Sequence, residues 1–253
     1  MATIRCPGAQ FHNIEAIIFD KDGTLADSHE FLRTLAQVRS RLIDARMPGV
    51  QEPLLMAFGV EGNTLNPQGL MAVGTRYENE IAAAAYVAET GRNWAEALDV
   101  VRQSFQEADR SAHRKAKFTP PYPGTEALLA HLSAHNLKVG IFSSDTTENV
   151  NDFVQFHQLT AYVNHAQGTD QASLAKPNPE LVLLTCEALG VSPQVTLFLG
   201  DSILDSQAAH NAQLAGFVYV NWLKSKVLLE ADAVINSWLD LELSPDSVTQ
   251  GII

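Results

Sequence analysis

The sequence predicts a doubly wound α/β fold, a parallel sheet with helices packed on both faces. Three observations carry this. The apolar runs EAIIF, LKVGIF and VTLFLG have the length and continuity of strands buried on both faces. Helical patterns lie between and after them. Each run also ends in polar residues: Asp20 after the first, Ser143, Ser144 and Asp145 after the second, Asp201 after the third. Open sheets of this kind bind ligands outside the carboxyl ends of their strands. Asp20, Asp22, Ser143 and Asp201 are therefore expected to converge.

The N-terminal stretch containing Cys6 reads as coil, and the first strand follows it. From about residue 29 to 118 the alternation stops. Phe31, Leu32, Leu35, Val38, Leu42 and Ile43 form one helical stripe. Residues 68–89 read as a single helix, and residues 93–113 as another, with Asn93 as its cap and Glu96 completing a box-like arrangement. This is a helical insert with a core of its own, and FTPPYPG (118–124) is the hinge back. Residues 125–136, 179–190 and 203–216 are helical, and Gly190 and Gly216 close the last two. FVYV (217–220) and AVI (233–235) are further strands. The expected division is residues 1–28 with 119–253 as the α/β core and 29–118 as the helical insert.

The chain has 253 residues, 46% of them hydrophobic and 18% charged, so a packed core is expected. Its formal net charge of -12 speaks against phosphate neutralisation on nucleic acid and against an anionic membrane surface. Cations and small molecules are the expected partners. Two cysteines give no disulfide framework, and Cys186 reads as helix core. No apolar run approaches a membrane span, and the first 20 residues lack a signal-peptide layout. The expected location is the cytoplasm. His131 and His135 read as surface residues, without a third metal ligand.

In IIFDKDGTLADS (17–28) two carboxylates stand two residues apart at a strand end. Asp20 can attack phosphorus, and Asp22 can protonate the leaving oxygen and later activate water. Gly23 and Thr24 make the turn and can offer a backbone N–H or a hydroxyl to a phosphate. A phosphate dianion beside carboxylates is repelled, by about 4 kcal/mol per pair at ~4 Å and an effective dielectric near 20. Positive charge is required. Mg²⁺ suits such an oxygen site, Asp201 and Asp205 supply more oxygen, and Lys176 adds a fixed cation.

Four motifs stand in order: DKDGTL (20–25), FSS (142–144), AKPNP (175–179) and GDSILD (200–205). On these the chain resembles the haloacid dehalogenase-like (HAD) superfamily, in the branch of phosphoglycolate phosphatases and β-phosphoglucomutases. The resemblance implies a Rossmann-like core with an α-helical cap over the site. It implies Asp20 as nucleophile and Mg²⁺ ligand, and Asp22 as general acid/base with its main-chain carbonyl on the metal. Ser143, with Ser144 beside it, would bind the phosphoryl group, and Lys176 would neutralise it. Asp201 and Asp205 would complete the metal site. The substrate implied is a small soluble phosphomonoester, of phosphoglycolate or sugar phosphate type. A phosphosugar mutase or a non-catalytic binding protein on the same scaffold are the alternatives. Dehalogenase and phosphonatase branches are disfavoured because Asp22 is present.

The chain departs from the family at two positions. Ser144 stands where relatives often carry Asn and is followed by Asp145, an extra acid that bears on which leaving groups are tolerated or, with Ser144, a cap of a helix from about Thr147. Lys21 stands where an apolar residue is common, its side chain directed to the cap cleft or to solvent. The basic stretch DRSAHRKAK (109–117) reads as a solvated helix end or an anion-binding cap surface, and Arg76 as a cap candidate.

Overall fold

In the computed structural model, residues 1–111, 114–224 and 230–245 are described. The remaining parts of the expected insert (112–113) and core (225–229, 246–253) lie outside the described residues, as does the end of the helix expected over 93–113.

The chain begins with a hairpin, β1 (Ala2–Cys6) and β2 (Ala9–Ile14), where coil is expected. Ala2, Ile4 and Cys6 alternate inward, and Pro7-Gly8 turns the chain with Gly8 at φ +83°. Cys6 is thus a buried strand residue. Strand β3 (Ala16–Phe19) follows, and all four of its residues are buried.

The insert holds α1 (His29–Asp44), α2 (Gln51–Phe58), a short hairpin β4 (Val60–Glu61) and β5 (Thr64–Leu65), α3 (Leu70–Val73), α4 (Arg76–Glu89), α5 (Trp94–Ser111) and α6 (Lys115–Phe118). Leu32, Phe58, Val87 and Phe105 belong to its own buried cluster. The single helix expected over 68–89 is broken at Gly74. A Cβ there would meet the Leu70 carbonyl oxygen at 2.7 Å, and Thr75 starts a new helix through a capping box with Glu78. Helix α2 and the β4–β5 hairpin have no counterpart in the sequence reading. Asn93 caps α5, its Oδ1 accepting from the Glu96 N–H at 3.0 Å, but the Glu96 carboxylate turns to Arg92 instead of closing a box.

The core continues with α7 (Thr125–Ala134), β6 (Lys138–Phe142), α8 (Thr147–Phe156), β7 (His165–Gln167), α9 (Glu180–Leu189), β8 (Thr196–Gly200), α10 (Ile203–Asn211), β9 (Gly216–Val220), β10 (Ala233–Ile235) and β11 (Glu242–Pro245). Six strands form a parallel sheet in the order β10-β9-β8-β3-β6-β7, and β11-β1-β2 form a second, antiparallel one. Period-2 alternation divides the parallel sheet between its two helical layers. Ile17, Phe19, Val139 and Ile141 join Leu129 and Phe153 on one face, whereas Ala16, Ile18 and Phe198 join Val182 and Ala209 on the other. Gly190 closes α9 as expected, at φ +65°. Helix α10 stops earlier than expected, with Gln213 at φ +54°, and Gly216 is already in β9. Among the described residues no helix is long and apolar enough to cross a membrane.

Candidate active site

Strand β3 lies between β6 and β8, where the chain order reverses, so its end is the switch point of the sheet. Phe19 stands level with Ile141 and Leu199, and the Asp20 N–H bonds the Leu199 carbonyl at 2.8 Å. That register brings the ends of all three strands together. They open on a cavity of about 620 Å³ reaching from Asp20 and Lys176 to the helical insert.

Two charge clusters share the floor. In the first, ligand atoms of Asp20, Asp201 and Asp205 lie within 4.8 Å of one another. The Lys176 ammonium bridges Asp20 at 2.5 Å and Asp205 at 2.7 Å, above the rings of Phe142 and Phe198. Burial pushes the Asp20 carboxyl up to about 7, with Lys176 pulling against it and Asp205 adding to it. Asp201 is raised well above the usual range by burial, then by Asp20 and Asp205. Three packed carboxylates with one ammonium leave negative charge uncompensated. Gly23, at φ +86°, lets the Asp201 carboxylate pack against the turn, since a Cβ there would lie 2.2 Å from its Oδ2. Hard oxygen donors grouped within 4.8 Å and excess negative charge fit a small divalent cation.

The second cluster was not legible in the sequence. The Asp22 Oδ2 accepts from Lys21 at 2.7 Å and from Lys115 at 2.8 Å. The Asp145 Oδ2 accepts from the same two ammoniums, at 3.0 and 2.6 Å. Lys21 is 1% exposed and sits beneath the cavity floor, so neither the cleft nor solvent receives it. Asp145 does not cap α8. Thr146 does, through its hydroxyl and the Asn149 N–H. Lys115, from the basic stretch 109–117, faces neither solvent nor a vacant anion surface. The signal for it is a basic run in an acidic chain, just before the hinge. Against the upward push of burial, Lys115 and then Lys21 hold the Asp22 carboxyl below its ordinary range, and Asp145 likewise.

Lys115→Met leaves two buried acids on Lys21 alone. The expected loss is about 3 kcal/mol, read as a lower urea midpoint. An unchanged midpoint would show that Lys21 suffices.

The remaining expected residues divide. Ser143 lines the cavity, and its Oγ accepts from the Asp145 N–H at 3.2 Å; Ser144 and Gly23 line it too, but the Gly23 N–H closes the turn on the Ala26 carbonyl at 2.9 Å and is not offered to a phosphate. Thr24 is fully buried outside the cavity wall, and its hydroxyl donates to Asp201 at 3.3 Å. The Asp22 carboxylate stands with the lysines rather than with the three grouped acids. Gln68 of the insert bonds the Asp201 carbonyl at 2.8 Å and the Ile203 N–H at 3.2 Å, a link between insert and site absent from the sequence reading. Trp222 donates to the Thr24 carbonyl at 2.9 Å and backs the turn. His131 and His135 are exposed, and Cys186 is packed in α9.

The chain is 26% identical over 236 residues to a phosphoglycolate phosphatase of Salmonella choleraesuis (strain SC-B67), covering 92% of each chain. Its fold is similar to the crystal structure of a predicted phosphoglycolate phosphatase from Haemophilus somnus 129PT (TM-score 0.65, 21% identity, 88% of this chain and 93% of that one). It is also similar to a candidate β-phosphoglucomutase from Thermotoga maritima (TM-score 0.57, 18% identity, 88% and 94%). A family model described as haloacid dehalogenase-like hydrolase matches residues 14–213, the span that carries all four motifs, and the chain belongs to that family.

Proposed function

We propose that this hydrolase is a phosphatase of small soluble phosphomonoesters that works through an aspartyl-phosphate and requires Mg²⁺. The observation that carries the reading is the Lys176 bridge between Asp20 and Asp205, beside Asp201, at the switch point of the sheet. Asp20 attacks phosphorus, forming an O–P bond as the bond to the leaving oxygen breaks. Asp22 gives that oxygen a proton, then takes one from the water that hydrolyses the acyl phosphate. The pairing of Asp22 with Lys115 and Lys21 favours its ionised form and hence the second of these steps. Ser143 holds a phosphoryl oxygen, and Lys176 keeps Asp20 in place. Asp20, Asp201 and Asp205, with the Asp22 main-chain carbonyl, would hold Mg²⁺, which when bound neutralises charge on the phosphoryl group. Residues 29–118 act as the cap that excludes water. Two buried free cysteines suit a reducing cytoplasm.

The test is phosphate release from a panel of phosphomonoesters, including a chromogenic aryl phosphate, with Mg²⁺ and with EDTA. Release that depends on Mg²⁺ is expected. Folded protein that releases nothing from any member would sink the reading.

A further inference from the structure

The cap side of the cavity is lined by Arg39, Arg76, Glu80 and Asp109. One carboxylate holds both guanidiniums. Asp109 accepts from Arg39 Nη2 at 3.3 Å through Oδ1 and from Arg76 Nη1 through Oδ2. Arg76 also gives its Nε to Glu80 at 2.9 Å. Arg39 is 6% exposed, with its guanidinium over the Phe105 ring at 4.1 Å and its other terminal nitrogen against the Met71 sulfur. Its Nε has no hydrogen-bond partner among the described residues, but its charge is offset by Asp109. The wall therefore carries two positive and two negative charges, already matched.

The same holds for the other cations that line the cavity among the described residues. Arg114 is held by Asp152, Lys115 by Asp22 and Asp145, and Lys176 by Asp20 and Asp205. Unmatched acids are also present: Glu148 and Asp170 line the cavity without a cation partner among the described residues. Asn79, on the cap wall, spends its Nδ2 on main-chain carbonyls and keeps an Oδ1 with no partner, one more acceptor on a wall that a carboxylate must approach.

We propose that this cavity takes phosphomonoesters whose far end is neutral and hydroxyl-bearing, and discriminates against those whose far end is a carboxylate, because its cap wall is charge-matched. The inference rests on the phosphatase reading and selects a substrate class within it. A second anionic group would enter without a cation and close to acids, which disfavours it. Hydroxyls can share the existing carboxylates and guanidiniums as acceptors and donors without breaking an ion pair. The class differs from phosphoglycolate, after which the Salmonella relative is named.

The experiment compares kcat/KM for 2-phosphoglycolate with those for glycerol 1-phosphate and ribose 5-phosphate, at fixed Mg²⁺ and ionic strength. Wild type is expected to favour the neutral-ended esters by at least about tenfold. Asp109→Asn removes the charge that offsets Arg39 and frees Arg76 Nη1, leaving net positive charge on the wall, and is expected to narrow that ratio by about tenfold. Glu80→Gln releases only part of Arg76 and should move the ratio the same way by less, which keeps the test usable if the first variant folds poorly. Wild-type preference for 2-phosphoglycolate, or an Asp109→Asn ratio equal to wild type, overturns the inference and leaves the phosphatase reading standing. Failure to release phosphate even from an aryl phosphate overturns both.

Discussion

Asp20→Asn is expected to lower turnover by on the order of 10⁴-fold or more, because an amide cannot form the acyl phosphate and the remaining groups act as a unit with it. The fold should survive, since Lys176 keeps Asp205 at 2.7 Å. A pH profile provides an independent readout. In metal-free protein the Asp20 carboxyl, raised by burial from 3.8 to about 7, keeps a proton between those values that the unfolded chain has released. Its contribution to stability is whole below about pH 4 and is lost as pH rises through about 7. Asp22 and Asp145, held low, act the other way and only in more acidic solution. With EDTA, the wild-type melting temperature is therefore expected to fall by several degrees from about pH 5 to about pH 8. That of Asp20→Asn should fall less, with Asp201 supplying the remainder. Substantial turnover by the variant would exclude Asp20 as the obligate nucleophile, and equal pH slopes would exclude its raised carboxyl as their source.

Lys176→Met should be the most costly change to stability. It removes the cation shared by the buried Asp20 and Asp205 and leaves them, with the half-buried Asp201 beside them, without one. Breaking a buried pair on one side costs about 3–5 kcal/mol, and the side chain has almost no contact with water to soften that. The urea midpoint in EDTA is expected to drop accordingly. Mg²⁺ should restore more stability to this variant than to wild type, because it supplies charge to the same three carboxylates. Activity should fall by about 10²–10³-fold through lost electrostatic stabilisation. An EDTA midpoint equal to wild type would show that the bridge does not hold the site together, and equal gains from Mg²⁺ in the two proteins would place the cation elsewhere.

The central strands were legible because the apolar runs before Asp20, Ser143 and Asp201 are continuous and end in polar residues. The N-terminal hairpin was not, since Ala2, Ile4 and Cys6 are too short a run to separate alternation from coil. Helix α2 and the break at Gly74 were missed for a related reason. The break is set by the close approach of Gly74 to Leu70 and not by hydrophobic period, and α2 is a helix of only eight residues. Lys21 and Asp145 stood out as departures, yet their purpose could not be read from either one alone.

By itself the sequence pointed to the ends of three buried strands meeting, and hence to Asp20, Asp22, Ser143 and Asp201 converging, because each strand carries its polar residues at the same end of a parallel sheet. Only the tertiary structure decided how the charges are distributed. Lys115 reaches Asp22 across 93 residues and Asp145 across 30, and Arg39 reaches Asp109 across 70. Such pairings depend on how helices of the insert lie over the sheet and on each other. No local pattern encodes that, because an ion pair needs only that two side chains arrive within about 3 Å, whatever their separation along the chain.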